Sequence, residues 1–229
     1  MPEMFDVTDD PTLNLFGHTE VDDEGVAPHP LMLVQKGVLK DFFRTRTPVR
    51  GYNESNGHSL LGGATAPTNL IVTAHETSSV SDLRKKMIDL CQQRGLKYAI
   101  VVKKMDFPST AAGDEMRRLV GGNGGGRPVA MPLYVYKLFR DGHEEQIRGV
   151  KLRGINARSL KDILAAGDDE NRLDYLENGV PFAEVGGGGY TAAVTVEAPS
   201  LLIDDLELTK MEDELPKLPV VSSPLLAQK

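Results

Sequence analysis

The sequence predicts an α+β fold, mainly antiparallel sheet and hairpins, with two or three helices. Three observations point to it. Two apolar strand runs meet at tight-turn residues, around Lys36-Gly37 and around Asp141-Gly142. A strand, a helix and a strand follow in order between Asn69 and Lys103. Two glycine runs, near residues 121–126 and 186–189, break the chain into short β-rich segments without a repeating period.

Residues 1–19 are polar, with Asp-Pro and Phe-Gly-His turn signals, and read as a loop or a short edge strand. Leu31–Gln35 is an apolar strand, and Gly37 offers the positive-φ position of a turn into a second strand from Val38 to Phe43. Residues 44–67 are rich in Gly, Asn, Ser and Thr and read as loop, and Asn69–Ala74 as a buried strand. Ser79 or Ser81 is placed to cap a helix running to about Arg94, with Gly95 as its stop. Its Leu83, Met87, Leu90 and Cys91 share one face at helical spacing.

Leu96–Lys103 is the next strand. Residues 106–128 carry too little side chain to pack. Leu133–Arg140 and His143–Arg153 form a hairpin about an Asp-Gly turn, which the dipeptide predicts to be type I′. Asn156 predicts a helix cap for Ala157–Ala166, stopped by Gly167. TAAVTVEA and SLLIDDLELTKM read as strands. One domain over residues 1–213 and a Pro-rich tail over 214–229 are expected.

Composition removes several function classes. No run approaches 18 apolar residues, which argues against a membrane-spanning helix. The first ten residues are acidic and lack the apolar core of a signal peptide. A single cysteine, Cys91, cannot make an internal disulfide and fits a reducing cytoplasm. The net charge is −7, and there is no Trp. Neutralisation of phosphates and stacking of bases are both poorly supplied, so direct nucleic-acid binding is not expected.

Motifs for chemistry are incomplete. His75-Glu76 and His143-Glu144 each lack the second histidine that a helical zinc motif places on the same face. Asp22-Asp23-Glu24-Gly25 lacks the oxygen count and spacing of a calcium loop and reads as a solvated turn. Neither glycine run precedes Lys-Ser/Thr and a helix, so neither is a phosphate loop. Cys91 falls on an apolar helix face with no neighbour in sequence to activate it. No Gly-x-Ser-x-Gly elbow occurs. No catalytic residue and no metal ligand is therefore assigned.

What remains is Arg44, Arg46, Arg50, Asn53, Ser55, Asn56 and His58, directly after a hairpin. Arginines there can grip a carboxylate or peptide backbone through paired hydrogen bonds, and His58 can donate or relay a proton. A polar network locking a long loop, or an oligomer contact, is the competing reading.

The segments VDDEG, LVQKGVLKDFF, RTPVRGYNESNGH and NLIV, followed by PLYVYKLFRDGHEEQIRGVKLRG, INARSLKDILAAGDD and APSLLIDDLEL, resemble the C-terminal domain of the TldD/PmbA family across nearly the whole chain. Members are described as metalloprotease-related proteins and modulators of DNA gyrase. The resemblance implies homo- or heterodimers, here with a TldD-like subunit, that enclose a cavity where peptides or unfolded proteins are cleaved. Active members hold zinc through a His-Glu-x-x-x-His helix and a later cysteine. That helix would lie upstream of Met1, and the cysteine's region, Gly179 to Tyr190, has none.

The expectation is thus a cytoplasmic, zinc-free, PmbA-type half-protein without a cofactor of its own and with enzyme activity undecided. Arg46, Arg50, Asn56, His58, Gly187 and Gly188 would line or support the peptide channel. The alternative is a non-enzymatic scaffold, or a protein-binding modulator of a DNA-handling enzyme.

Overall fold

The computed structural model describes residues 1–106, 130–153, 155–178 and 191–210. The loop-rich segment, the Gly186–Gly189 run and the Pro-rich tail lie outside them.

The largest unit is a six-stranded sheet in the order β11-β12-β4-β1-β2-β3. Its strands are β1 (Phe5–Asp9), β2 (Leu31–Gln35), β3 (Val38–Leu39), β4 (Asn69–Ala74), β11 (Asn171–Asn178) and β12 (Thr191–Ala198). β12 runs parallel to β4, and every other neighbour pair is antiparallel. β1 is therefore an interior strand, paired on both sides, where its polar letters read as loop or edge.

Alternation works as the pleat requires. Phe5 and Asp9 are buried on β1, and Leu31 and Leu33 on β2. Phe5, with no exposed surface, packs with Ile163 and Ala166 under Met1, Met4, Val72, Ala74 and Ile203. Burying a phenylalanine of this kind contributes about 2–3 kcal/mol.

The turn between β2 and β3 places Lys36 at φ +47° and Gly37 at φ +72°, the two positive values of a type I′ turn. Its amides are fixed from outside: Lys36 donates to Asp6 at 2.6 Å and Gly37 to the Phe5 carbonyl at 2.8 Å. β3 stops at Leu39 rather than Phe43, because Lys40 and Asp41 both turn their amides onto the Leu33 carbonyl.

The helix α1 spans Val80–Gln93, capped by the Ser79 hydroxyl, which accepts the Asp82 amide at 3.1 Å. Gly95, at φ +69°, ends it. Leu83 packs against Ala165 and Leu202, with Met87 and Leu90 beside them. α1 separates β4 from β6 (Tyr98–Met105), but β6 joins a different sheet, β6-β7-β8, with β7 (Pro132–Phe139) and β8 (Glu144–Ile147). No single βαβ sheet results.

Four expectations need correction. The Asp141-Gly142 turn is not type I′, since only Gly142 has positive φ (+88°). Gly142 donates to the Phe139 carbonyl at 2.9 Å and Phe139 to the His143 carbonyl at 3.0 Å. That is a three-residue loop with glycine at its left-handed corner. The strand run to Arg153 is also split: β9 (Val150–Arg153) pairs with β14 (Glu207–Lys210).

The helix expected over 157–166 is absent, so α1 is the only α-helix among the described residues rather than one of two or three. Asn156 accepts the Arg158 amide at 2.9 Å in a local turn, but the short 3-10 turn that follows, Ser159–Asp162, has Arg158 at its N-cap and no side-chain cap bond. β10 (Ile163–Gly167) follows, between antiparallel β13 (Leu201–Ile203) and parallel β5 (Thr77–Ser78). Tertiary pairing of this apolar run overrides its local helix signals. SLLIDDLELTKM is likewise two strands, β13 and β14, broken at 204–206.

Candidate functional site

The loop from Phe42 to Thr68, expected to carry function, is built upon the sheet by buried polar groups. Asp9, at the end of interior strand β1, has no exposed surface, and neither has His58. His58 Nε2 lies 3.0 Å from Asp9 Oδ1, and Nδ1 lies 2.9 Å from the Asn56 carbonyl. Asp9 also accepts the Thr68 amide at 2.9 Å and the Thr68 hydroxyl. The Phe43 ring stacks on the imidazole, centroids 4.8 Å apart and 20° between planes.

Asn56 is buried with them. Its Nδ2 donates to the Phe42 carbonyl at 2.9 Å, and its Oδ1 accepts the Arg44 amide at 2.8 Å. Between Asn56 and His58, Gly57 sits at φ +77°, where a Cβ would come within 2.4 Å of the Pro28 Cα. Only glycine meets both demands.

The acidic run is not the solvated turn its composition predicts. Asp22 is buried, and its carboxylate accepts the amides of Glu24 (2.9 Å), Val26 (2.8 Å) and Ser59 (3.1 Å). Asp23 accepts the Gly62 amide at 2.8 Å, and Glu24 the Arg46 amide at 2.6 Å. Carboxylates here take the place of a ladder for a loop without strands.

Beyond these anchors the chain from Arg44 to Glu54 curls around a hollow of about 350 Å³. Arg44 is committed to the loop itself. It pairs with Asp41, donates Nε to the Glu54 carbonyl at 3.2 Å, and lies 4.6 Å over the Tyr52 ring. A turn with Gly51 at φ +87° returns the chain, the Tyr52 amide meeting the Val49 carbonyl at 2.9 Å. Arg46 and Arg50 line the hollow and are exposed.

The predicted residues therefore divide. Arg46 and Arg50 share one concave surface, and Asn56 and His58 lie beneath it, sealed from solvent. Gly187 and Gly188 lie outside the described residues. Asp9 and Thr68 escaped sequence reasoning, because a lone aspartate in a strand and a lone threonine carry no spacing signal, and Asp22 reads from sequence only as part of a solvated turn.

Other chemistry-bearing groups are placed singly. His75 pairs with Asp6 at 2.9 Å and His143 with Asp141 at 2.6 Å, both on exposed side chains. Hydrogen bonds to Lys36 and His75 hold the Asp6 carboxyl below its usual value, and those to His143 do the same for Asp141. Burial pushes the Cys91 thiol up, away from the reactive thiolate. Among the described residues no three His, Cys, Asp or Glu side chains stand together to hold a metal ion. These residues do not fit a zinc site, and no chemical step is assigned to one. No described helix is long and apolar enough to cross a membrane.

Residues 1–106 match the model of a family described as the PmbA/TldA metallopeptidase C-terminal domain. No curated protein matches the chain. Among solved structures, it is similar to a Thermotoga maritima protein described as a candidate modulator of a DNA gyrase, with 18% identity and a TM-score of 0.59. That likeness covers 91% of this chain and 40% of the other. TldE from Thermococcus kodakarensis is similar at 12% identity and a TM-score of 0.52, over 90% of this chain and 40% of its own. These likenesses show a shared fold, and the chain spans about 40% of the length of either relative.

Proposed function

We propose, from the membership of residues 1–106 in the PmbA/TldA metallopeptidase C-terminal-domain family, that this chain forms the wall of a peptide channel in a cytoplasmic peptide-processing assembly. It acts there as a zinc-free subunit beside a TldD-like partner that carries the chemistry. One observation carries the reading: Arg46 and Arg50 are exposed on a hollow in a loop anchored by the buried, hydrogen-bonded side chains of Asp22, Asn56 and His58. Guanidinium groups on a preorganised loop can hold peptide carbonyls and carboxylates without ordering the loop on binding. The 229 residues contain no His-Glu-x-x-x-His, and their one cysteine is on α1.

The test measures zinc content and hydrolysis of unfolded peptides by the purified chain, with and without a zinc-bearing partner. Stimulation of the partner, and no bound zinc in the chain alone, is expected. One equivalent of tight zinc in the chain alone overturns the zinc-free assignment.

A second reading, a non-enzymatic interaction protein, draws on the edge strand β3, where Val38 and Leu39 are 57% and 70% exposed. Concentration-dependent self-association without any effect on a peptidase favours it.

A further inference from the structure

The side chains of Arg46 and Arg50 are charges without a counterion. Among the described residues neither guanidinium has an ion-pair or hydrogen-bond partner, whereas Arg44, Arg84, Arg94 and Arg172 each hold a carboxylate. Their backbones are nevertheless fixed. The Arg46 amide is bound by Glu24 at 2.6 Å, and Arg50 sits in the turn that the Tyr52 amide closes on the Val49 carbonyl at 2.9 Å. Between them the Thr47 amide donates to the Thr45 hydroxyl at 3.1 Å, and Pro48 fixes its own φ.

Apolar groups share the hollow with these charges. Val49 and Tyr52 line it and are 39% and 40% exposed. The Tyr52 ring is backed by Arg44 and meets the Phe42 ring edge-on at 4.8 Å, so its position is set before any ligand arrives. Glu54 also lines the hollow and is exposed, and its charge disfavours the entry of more than one anion. At about 350 Å³ the hollow lies at the small end of ligand clefts, which run from about 300 to 1,000 Å³. It suits the end of a chain better than a long extended segment.

We propose that this hollow is a subsite for the carboxyl end of a peptide: Arg46 and Arg50 take the terminal carboxylate, and Val49 and Tyr52 take an apolar last side chain. The assignment narrows the peptide-channel reading above and rests on it. A terminal carboxyl, with an ordinary pKa of about 3.3–3.7, is ionised at neutral pH. Its two oxygens match the fork of a guanidinium, and such charge-assisted bonds are about twice as strong as those to a neutral acceptor. A carbonyl within a chain offers one neutral oxygen. An internal aspartate or glutamate offers the charge without an apolar group on the same residue. Only an apolar last residue brings both together.

The test is chemical-shift titration of the labelled full chain with one unstructured peptide ending in leucine. It is supplied as the free acid, as the C-terminal amide, and as that amide with an aspartate placed inside the chain. The free acid is expected to perturb amides within Thr45–Glu54 and to bind at least about tenfold more tightly than the amide, with the gap narrowing at high salt. Glu54→Gln should tighten binding of the acid and leave the amide unchanged, a response that damage to the fold does not produce. Equal affinity of acid and amide at Thr45–Glu54 overturns the proposal and leaves the channel wall standing. The aspartate-bearing amide binding as tightly as the free acid also overturns it, in favour of side-chain carboxylates. Binding of all three forms that leaves Thr45–Glu54 unperturbed contradicts the proposal and the channel wall together. The wild-type comparison decides alone should the variant not fold.

Discussion

The buried carboxylate of Asp22 accepts the amide of Ser59, 37 residues later in the chain, at 3.1 Å. It ties the acidic run to the residue that follows His58. Asp22→Ala leaves three amides without their charged acceptor, and each such bond contributes about 1.5–3 kcal/mol. Water reaching the opened loop recovers part of this. A net loss of about 2–4 kcal/mol is expected as a lower urea midpoint with unchanged slope.

Gly57 and Gly142 make a matched pair. Both have positive φ, but a Cβ on Gly57 strikes the Pro28 backbone, and one on Gly142 meets nothing within 4 Å. Gly142→Ala is expected to cost about 1 kcal/mol, the strain of the backbone alone. Gly57→Ala should cost about 3 kcal/mol or more and disturb the amide signals of the 42–58 loop. Equal losses in denaturant unfolding would show that the Pro28 contact is not rigid.

The sequence was legible where local chemistry decides. Lys36-Gly37 marks its turn, Ser79 and Gly95 bound α1, and the Gly142 corner lies where expected, although with a different turn type. It was illegible where partners distant in sequence decide. Ile163–Gly167 has a cap signal before it and a glycine at its end, like a helix, but its edges are filled by β13 and β5. β1 looked peripheral because Asp9 breaks its apolar alternation, and that aspartate is buried only because His58 and Thr68 meet it. Of the loop residues, Arg46 and Arg50 share the exposed hollow, and Asn56 and His58 are buried. Which of them face solvent depends on Asp22 and Asp9, whose bonds to Ser59 and Thr68 span 37 and 59 residues.

Glu144 gives the fold a pH dependence on the acid side. Hydrogen bonds from Lys103 and Arg84 hold its carboxyl below the ordinary glutamate value. A carboxyl lowered in the folded state contributes stability above its unfolded value of about 4.3, and loses it as pH falls through the folded value. Lys103 and Arg84 are both partly exposed, so the contribution is about 0.5–1 kcal/mol. Glu144→Gln should lower the unfolding midpoint at pH 6 and leave it unchanged near pH 2, as measured by thermal melts.

Arg44 and Arg46 are separable despite their proximity. The Arg44 side chain is 13% exposed and holds Asp41, the Glu54 carbonyl and the Tyr52 face. Arg44→Ala should destabilise by about 1–2 kcal/mol through lost packing and lost bonds. Arg46 lends only its backbone amide to Glu24, so Arg46→Ala should change stability by less than about 0.5 kcal/mol. Urea unfolding of the two variants side by side checks the distinction.

Chemical-shift mapping of the labelled chain with an unstructured peptide tests the central claim most directly. Perturbed amides are expected within Thr45–Glu54, with binding weakened at least tenfold in Arg46→Ala/Arg50→Ala while the ring signals of His58 stay in place. Peptide binding that perturbs other surfaces and leaves Thr45–Glu54 untouched would contradict the account.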